Sequence, residues 1–273
     1  MGTIEKHYTE CVKHTKQESQ IKKIHNIWIG PAKMRRVGEI MLKSVYGVYN
    51  IKPTLWVYNY VPDSHINDIA EVRDVPHDLL LMLNGIEDKI ATKSDFARYY
   101  LLKEYGGLYF DTDGICNKSI LPLINEYDVI VGKWCEEIPG GNNTNIYNGA
   151  VVYTSTPNNN HIINLLNKCI ETIIRYNNNP GWGVTGPELI TDYIKNNSDV
   201  SSIYKAPIEA FYKYEWRDGE WQKWFGNYTE DDLNGIYYAH LWGKMSQVVL
   251  DVIDDEYIIK NDNLYTAIAK RYL

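Results

Sequence analysis

The sequence predicts one mixed α/β domain, and three observations predict it. A β-rich segment over 24–31, a helical segment over 34–47 and a second β-rich segment over 54–60 form a β-α-β opening. A helix over 91–107 then runs directly into a short apolar strand, Leu108-Tyr109-Phe110. Beyond it, apolar strands and helical stretches keep alternating, with an apolar run at 127–132 and a helix over 157–176.

The first strand stops at Gly30-Pro31, and the loop after such a strand is a common place to bind a ligand. In the helix over 91–107, Ser94 is positioned to cap the first turn and Gly106 to end the last. Asp95 then falls in the first turn, where a carboxylate favours the helix dipole, and Arg98 follows three residues later on the same face. The strand after it delivers Asp111-Thr112-Asp113-Gly114 to the end of a buried run. A polar Gly/Asn loop over 139–145 precedes Asn148-Gly149 and another apolar run, and Thr185-Gly186-Pro187 marks a later turn. Trp216, Trp221 and Trp224 surround a turn at Asp218-Gly219 and read either as the packing of a hairpin or as stacking surfaces for a glycan. A strand at Ile236-Tyr237-Tyr238-Ala239 leads into His240. Residues 1–20 read as a polar N-terminal extension, and 21–273 as the folded domain.

Composition narrows the function. A net charge of −7 excludes the surplus of Lys and Arg that a nucleic-acid binder needs to neutralise phosphates, so no nucleic-acid partner is expected. The chain has 23 Tyr and 8 Trp against 4 Phe, a bias toward flat apolar faces with polar tips, which suit sugars and bases as well as half-exposed sheet positions. Cysteines at 11, 116, 135 and 169 have neither metal-site spacing nor disulfide density, which favours free thiols and a reducing compartment. The sequons that begin at Asn117, Asn142, Asn196 and Asn227 are read as unused. The first twenty residues lack the apolar core of a signal peptide, so the expected location is the cytoplasm, with peripheral contact to a membrane allowed.

Asp111 and Asp113 carry the chemistry. In an extended segment, residues two apart point to the same side, so both carboxylates can face one cation while Thr112 faces away. Hard oxygen ligands suit Mn²⁺ or Mg²⁺ and leave positions open for phosphate oxygens and water. Two solvated turn residues are the bland alternative; the helix, the Gly-Gly pair and the buried strand that lead into the pair argue against it. A glycosidase, by contrast, needs its two carboxyl groups on opposite faces of a sugar.

The run Ser94-Asp95-x-x-Arg98, followed by Tyr105-Gly106-Gly107-x-Tyr109-x-Asp111-x-Asp113, resembles the Asp-x-Asp sugar-binding region of bacterial, fungal and viral glycosyltransferases. That group includes the initiating mannosyltransferase and capsular polysaccharide types and the catalytic domains of large clostridial glucosylating toxins. Ile27-Trp28-Ile29-Gly30, Asn148-Gly149, Thr185-Gly186-Pro187 and His240-x-Trp242 extend the resemblance over about 21–246.

The resemblance implies a GT-A fold, that is, a single Rossmann-like nucleotide-sugar-binding domain with a mixed central sheet, and retaining, metal-dependent transfer. It implies that Trp28 stacks on the donor base while Ile27 backbone groups read its edge, although Trp28 reads as readily as a core indole. Asp95 and Arg98 are expected to hold sugar hydroxyls, against the alternative of a surface ion pair, with Tyr109 lining the same pocket. His240 is expected to join Asp111 and Asp113 at the metal. Asn148 and Trp242 are candidates for contacts to substrate, and Thr185-Gly186-Pro187 for shaping the acceptor side. The Ser-Trp expected after His-x-Trp is replaced by Met245-Ser246, so Lys244 is a candidate for the leaving phosphate, or else an ordinary exposed lysine. The implied donor is a nucleotide-diphosphate hexose, UDP-glucose or UDP-galactose ahead of GDP-mannose. The implied acceptor is a glycan or lipid-linked glycan in polysaccharide biosynthesis. A toxin-like protein glucosyltransferase, a metal-dependent hydrolase and a catalytically silent nucleotide-sugar binder are the alternatives.

Overall fold

A computed structural model describes residues 21–87, 89–124, 127–137 and 144–273. The polar extension over 1–20 and the greater part of the Gly/Asn loop lie outside the described residues. Seven strands form the main sheet: β1 (Ile24–Ile29), β2 (Thr54–Tyr58), β3 (Glu71–Asp74), β4 (Gly107–Phe110), β6 (Val129–Glu137), β7 (Thr144–Thr154) and β8 (Ile203–Ala206). A second sheet of two strands pairs β5 (Gly114–Cys116) with β9 (Tyr238–His240).

The main sheet has the order β3-β2-β1-β4-β7-β6-β8. β3, β2, β1 and β4 are parallel, β7 is antiparallel to both β4 and β6, and β8 runs parallel to β6. The mixed α/β expectation is met, including the β-α-β opening, where a helix over Arg36–Tyr49 joins β1 to β2.

Side chains alternate between the two faces as strand geometry requires. Leu55, Val57, Leu108, Phe110, Val151 and Tyr153 pack in one apolar cluster, and Trp56, Tyr58, Tyr109 and Val152 in another. Covered on both faces, these strands read as continuous apolar runs rather than as polar–apolar alternation. A third cluster joins Ile115 and Ala239 of the small sheet to Val37 and Ile40 and to Leu264, Tyr265 and Ile268 near the C-terminus.

The helix over 91–107 is observed as Ile90–Tyr105, with Lys89 at its N-cap and no side-chain cap. Ser94 is therefore an interior residue, and Asp95 lies beyond the first turn. Nothing in Ile90-Ala91-Thr92-Lys93 opposes helical geometry, and burial of Thr92 and Lys93 favours the extra turn. Gly106 does end the helix, with φ +63°. Gly107 follows at φ +91°, and a Cβ there would stand 2.3 Å from the Lys23 carbonyl oxygen, so only glycine lets β4 start this close to β1.

The Trp-rich segment is not a hairpin. Short 3-10 turns span Arg217–Phe225, and Asp218 and Gly219 both take left-handed conformations between them. Trp224 is wholly buried, with its ring 4.9 Å from that of Tyr214, because the C-terminal core recruits it. Cys116, Cys135 and Cys169 are free and buried, in keeping with unpaired thiols.

His25 ties the opening strand to the helix end. Its Nε2 lies 3.0 Å from the Gly106 carbonyl oxygen, and its Nδ1 accepts from Trp56 Nε1 at 3.2 Å, a pattern only the neutral ring satisfies. Burial lowers its pKa from 6.5 to about 4, against the pull of the Gly106 carbonyl. The folded state thus binds this proton less readily than the unfolded chain, so its stability is complete above pH 6.5 and declines as pH falls toward 4. The expected loss from this group is about 3 kcal/mol. Denaturant unfolding at pH 7 and pH 4.5 should show that component in the native chain and lack it in His25→Gln.

Candidate active site

The site lies where the chain passes from the main sheet into the small one. Asp111 still donates its backbone N–H to Ala150 O at 2.9 Å, continuing the β4–β7 ladder for one more bond. The chain then bends at Thr112 and Asp113 and enters β5. The two carboxylates converge through this bend, not through the alternation of one extended strand. In β5 and β9, Gly114 pairs with His240, and Leu241 N–H donates to Asp113 O at 2.9 Å, which brings His240 beside the acids.

Asp111, Asp113 and His240 each offer one ligand atom, and these atoms all lie within 4.8 Å of one another. Tyr238, which the sequence reading missed, fixes the first of them from behind: its hydroxyl donates to Asp111 O at 2.8 Å. Asp113 is held on both oxygens. Oδ2 accepts from Gly243 N–H at 2.7 Å, and Oδ1 lies 3.4 Å from His240 Nε2. Burial acts to raise the Asp113 pKa, but His240 and the Gly243 N–H outweigh it and hold the carboxyl at about 2.

Trp242 is in a left-handed conformation, φ +55°, which a bulky residue rarely adopts. That turn directs the Gly243 N–H at Asp113, and the Trp242 indole is locked by donating to Tyr214 O at 2.7 Å. Its ring packs edge-on to His240 at 4.2 Å. Ser246, of the Met245-Ser246 pair that stands in place of the expected Ser-Trp, is buried and donates to the Leu241 carbonyl at 2.5 Å, so it serves the loop rather than a ligand. Lys244 is exposed beside it.

Behind the acids stands a buried chain of charge. Arg98 is only 3% exposed and forks between Asp95 Oδ1 at 2.6 Å and Asp111 Oδ1 at 2.9 Å. Its guanidinium stacks on the Tyr109 ring at 4.8 Å, and the Tyr109 hydroxyl donates to the same Asp111 Oδ1 at 2.9 Å. Burial opposes the charge on Arg98, but Asp111 and Asp95 hold its pKa well above the ordinary value. Asp95 is pushed upward by burial and restrained by Arg98 and by Thr185 Oγ1, which donates to Asp95 Oδ2 at 2.9 Å. Asp95 and Arg98 are thus a buried i,i+3 pair joined to Asp111, not a surface pair.

Two glycine motifs make room for this chain. A Cβ on Gly149 would stand 2.3 Å from Arg98 Nη1, and one on Gly186 would stand 2.7 Å from Asp95 Oδ2. Thr185-Gly186-Pro187 is thereby a clamp on Asp95, and Asn148-Gly149 opens the space for Arg98. Asn148 itself spends its Oδ1 on the Ala150 N–H at 3.1 Å.

Ile27 packs in the core of β1. Trp28 donates to Ala32 O at 2.8 Å and tilts on Tyr60, so its recorded ring and hydrogen-bond partners are these rather than the carboxylates.

The donor set fits a divalent cation. Two carboxylates and one imidazole suit a borderline or hard ion. Asp95, Asp111 and Asp113 against Arg98 leave two uncompensated negative charges when His240 is neutral. His240 Nδ1 is also buried without a hydrogen-bond partner among the described residues.

Two family models match the chain. The family model "Glycosyltransferase sugar-binding region containing DXD motif" matches residues 5–130, and "Alpha 1,4-glycosyltransferase conserved region" matches 159–272. Mouse lactosylceramide 4-alpha-galactosyltransferase is 29% identical over 167 residues, 56% of this chain and 41% of that protein. Human alpha-1,4-N-acetylglucosaminyltransferase is 27% identical over 166 residues, 56% of this chain and 43% of that one. The match therefore spans less than half the length of either relative. Among solved structures, the glycosyltransferase GlyE of Streptococcus pneumoniae aligns with a TM-score of 0.52 at 14% identity, over 92% of this chain and 60% of that one, a likeness of fold. The expected GT-A architecture is borne out.

Because the Arg98 fork is buried, removing it leaves two carboxylates uncompensated. Arg98→Met is expected to destabilise the fold by about 3–5 kcal/mol. Gly149→Ala, which crowds the same guanidinium, is expected to cost about 1–3 kcal/mol. Chemical denaturation of both variants checks this, and equal stability with the native chain would remove the fork from the architecture.

Proposed function

We propose that this chain is an enzyme of the DXD-containing glycosyltransferase kind and transfers a hexose from a nucleotide-diphosphate donor to a glycan or lipid-linked glycan with retention of configuration. The observation that carries this reading is the convergence of Asp111, Asp113 and His240 at the sheet junction, backed by the Arg98 fork. Asp111, Asp113 and His240 are the residues that hold Mn²⁺ or Mg²⁺. When bound, the ion supplies Lewis-acid stabilisation of the charge that builds on the departing diphosphate.

The chain's own residues do the rest. Asp95 and Arg98 form the floor beneath the donor sugar and hold its hydroxyls, with Tyr109 and Asn148 beside them. Trp28 and the Ile27 backbone take the base, and Trp242 and Lys244 approach the diphosphate. The Asp95, Asp111 and Asp113 carboxylates are engaged by Arg98, Thr185 and Gly243, which leaves none of them free as a nucleophile. This supports a front-face course. The acceptor oxygen bonds to the anomeric carbon on the side the diphosphate leaves, and a donor phosphate oxygen takes the hydroxyl proton.

UDP-galactose and UDP-glucose are the favoured donors, ahead of GDP-mannose. The relatives' names, an α-galactosyltransferase and an α-N-acetylglucosaminyltransferase, agree with an α-linked product from an α-linked UDP sugar and so with retention.

Asp113→Asn is expected to lower metal-dependent release of nucleoside diphosphate by about a thousandfold or more with the melting temperature little changed. Near-native turnover would refute the metal assignment. Thermal shift with Mn²⁺ and UDP-, GDP- or dTDP-sugars in parallel is expected to raise the melting temperature most with a UDP-sugar. A larger rise with GDP-mannose would reverse the order of donors.

A further inference from the structure

Between Phe110 and Asp113 the chain leaves the main sheet, and its backbone is anchored on both sides of the bend. Two anchors come from other backbone groups: Asp111 N–H donates to Ala150 O of β7, and Leu241 N–H donates to Asp113 O, both at 2.9 Å. Two more come from side chains. The pairing of β1 with β4 ends at His25 opposite Tyr109, and the next residue, Asn26, reaches across with its amide, Nδ2 donating to Phe110 O at 2.7 Å. From β9, the Tyr238 hydroxyl donates to Asp111 O at 2.8 Å. Buried carbonyls need donors, and where a strand bends out of its ladder a side chain can supply them.

Asn26 gains little for folding by this. It is wholly buried, its Nδ2 otherwise meets only the weak acceptor Met41 Sδ at 3.6 Å, and its Oδ1 has no hydrogen-bond partner among the described residues. An unpaired buried acceptor costs about as much as the bond to Phe110 contributes. The amide orientation is nonetheless fixed, because Phe110 O can only accept. What Asn26 secures is the place of that carbonyl.

Tyr238 grips the same stretch from the other side. Its ring stacks on that of Phe110 at 5.1 Å and 22°. It also lies across β5, where a Cβ on Gly114 would stand 2.1 Å from the Tyr238 hydroxyl oxygen. Gly114 is thus the clearance for Tyr238, in the strand pair that also brings in His240.

We propose that Asn26 and Tyr238 are positioning residues for the metal-binding group: by holding the carbonyls of Phe110 and Asp111, they set the bend that turns Asp111 and Asp113 toward one ion. Asp111 stands between the two held carbonyls, so its Cα cannot swing without breaking one of these bonds. A divalent ion accepts ligand distances only within about 0.2 Å of its preferred values, and a loose bend does not meet that tolerance. Neither residue is a ligand; each acts through the backbone that carries one. The inference rests on the metal reading above.

Binding of Mn²⁺ to the full chain, alone and with UDP, is followed by the loss of the free-ion EPR signal. Asn26→Leu and Tyr238→Phe each remove one donor at nearly constant volume. Each is expected to weaken Mn²⁺ binding about tenfold or more. Their melting temperatures are expected to change by less than about 4 °C, while hydrogen exchange over 110–113 quickens. Leu165→Ala, a truncation in the other apolar cluster, is the control for lost stability, with a lower melting temperature and Mn²⁺ affinity within about twofold of native. If the native chain binds Mn²⁺ and either variant binds it within about twofold as tightly, the positioning role of that residue is overturned and the metal assignment stands. A native chain that binds no Mn²⁺ in either condition overturns the metal assignment and the proposal together.

Discussion

The buried guanidinium of Arg98 is the constraint on which the site depends. A positive charge at 3% exposure is tolerable only if paired and hydrogen-bonded, and here two carboxylates meet it on separate nitrogens. Asp95 belongs to the same helix and would be reachable by Arg98 in isolation. Asp111 belongs to the end of a strand, so the fork ties helix to sheet and fixes the first proposed metal ligand relative to both. Tyr109 below the guanidinium and Thr185 beyond Asp95 complete the chain of contacts, in which both Arg98 Nη atoms are paired while its Nε is buried without a hydrogen-bond partner among the described residues.

That chain also explains why small residues occur where they do. Gly149 and Gly186 lie far apart in sequence, yet each stands where a methyl group would press on one end of the same ion pair. Their role is clearance for a buried salt bridge, and neither takes a positive φ. Packing around such a pair has to be complete, since a gap would either admit water or leave a charge unpaired.

The second half of the site depends on a different device, the meeting of two sheets. The main sheet ends at Phe110, the small sheet begins at Gly114, and the residues between them are free to bend. A carboxylate on each side of the bend can then face inward, while β9 returns His240 from over a hundred residues away. Trp242 pays in backbone strain to turn the chain there, and the result is a Gly243 N–H aimed at Asp113 and an indole wall that continues outward through Trp134 to Trp182.

The sequence by itself determined the alternation of strands and helices, the helix ending at Gly106 and the delivery of Asp111 and Asp113 from a buried strand, because each is set by local periodicity and by what glycine alone permits. It also singled out Asp95, Arg98, Thr185-Gly186-Pro187 and His240, though it placed Ser94 at a cap, Asp95 in a first turn and the tryptophans of 216–224 in a hairpin. Those errors share a cause: tertiary burial extended the helix past its local signal and drew Trp224 into a core assembled from distant segments. Only the tertiary structure decided that Arg98 reaches Asp111, that Thr185 clamps Asp95, that Tyr238 and Gly243 hold the acids and that Trp182 stands over Trp134. Each of these joins residues tens to more than a hundred positions apart, and no periodicity in a chain reports which of its distant side chains will share one desolvated space.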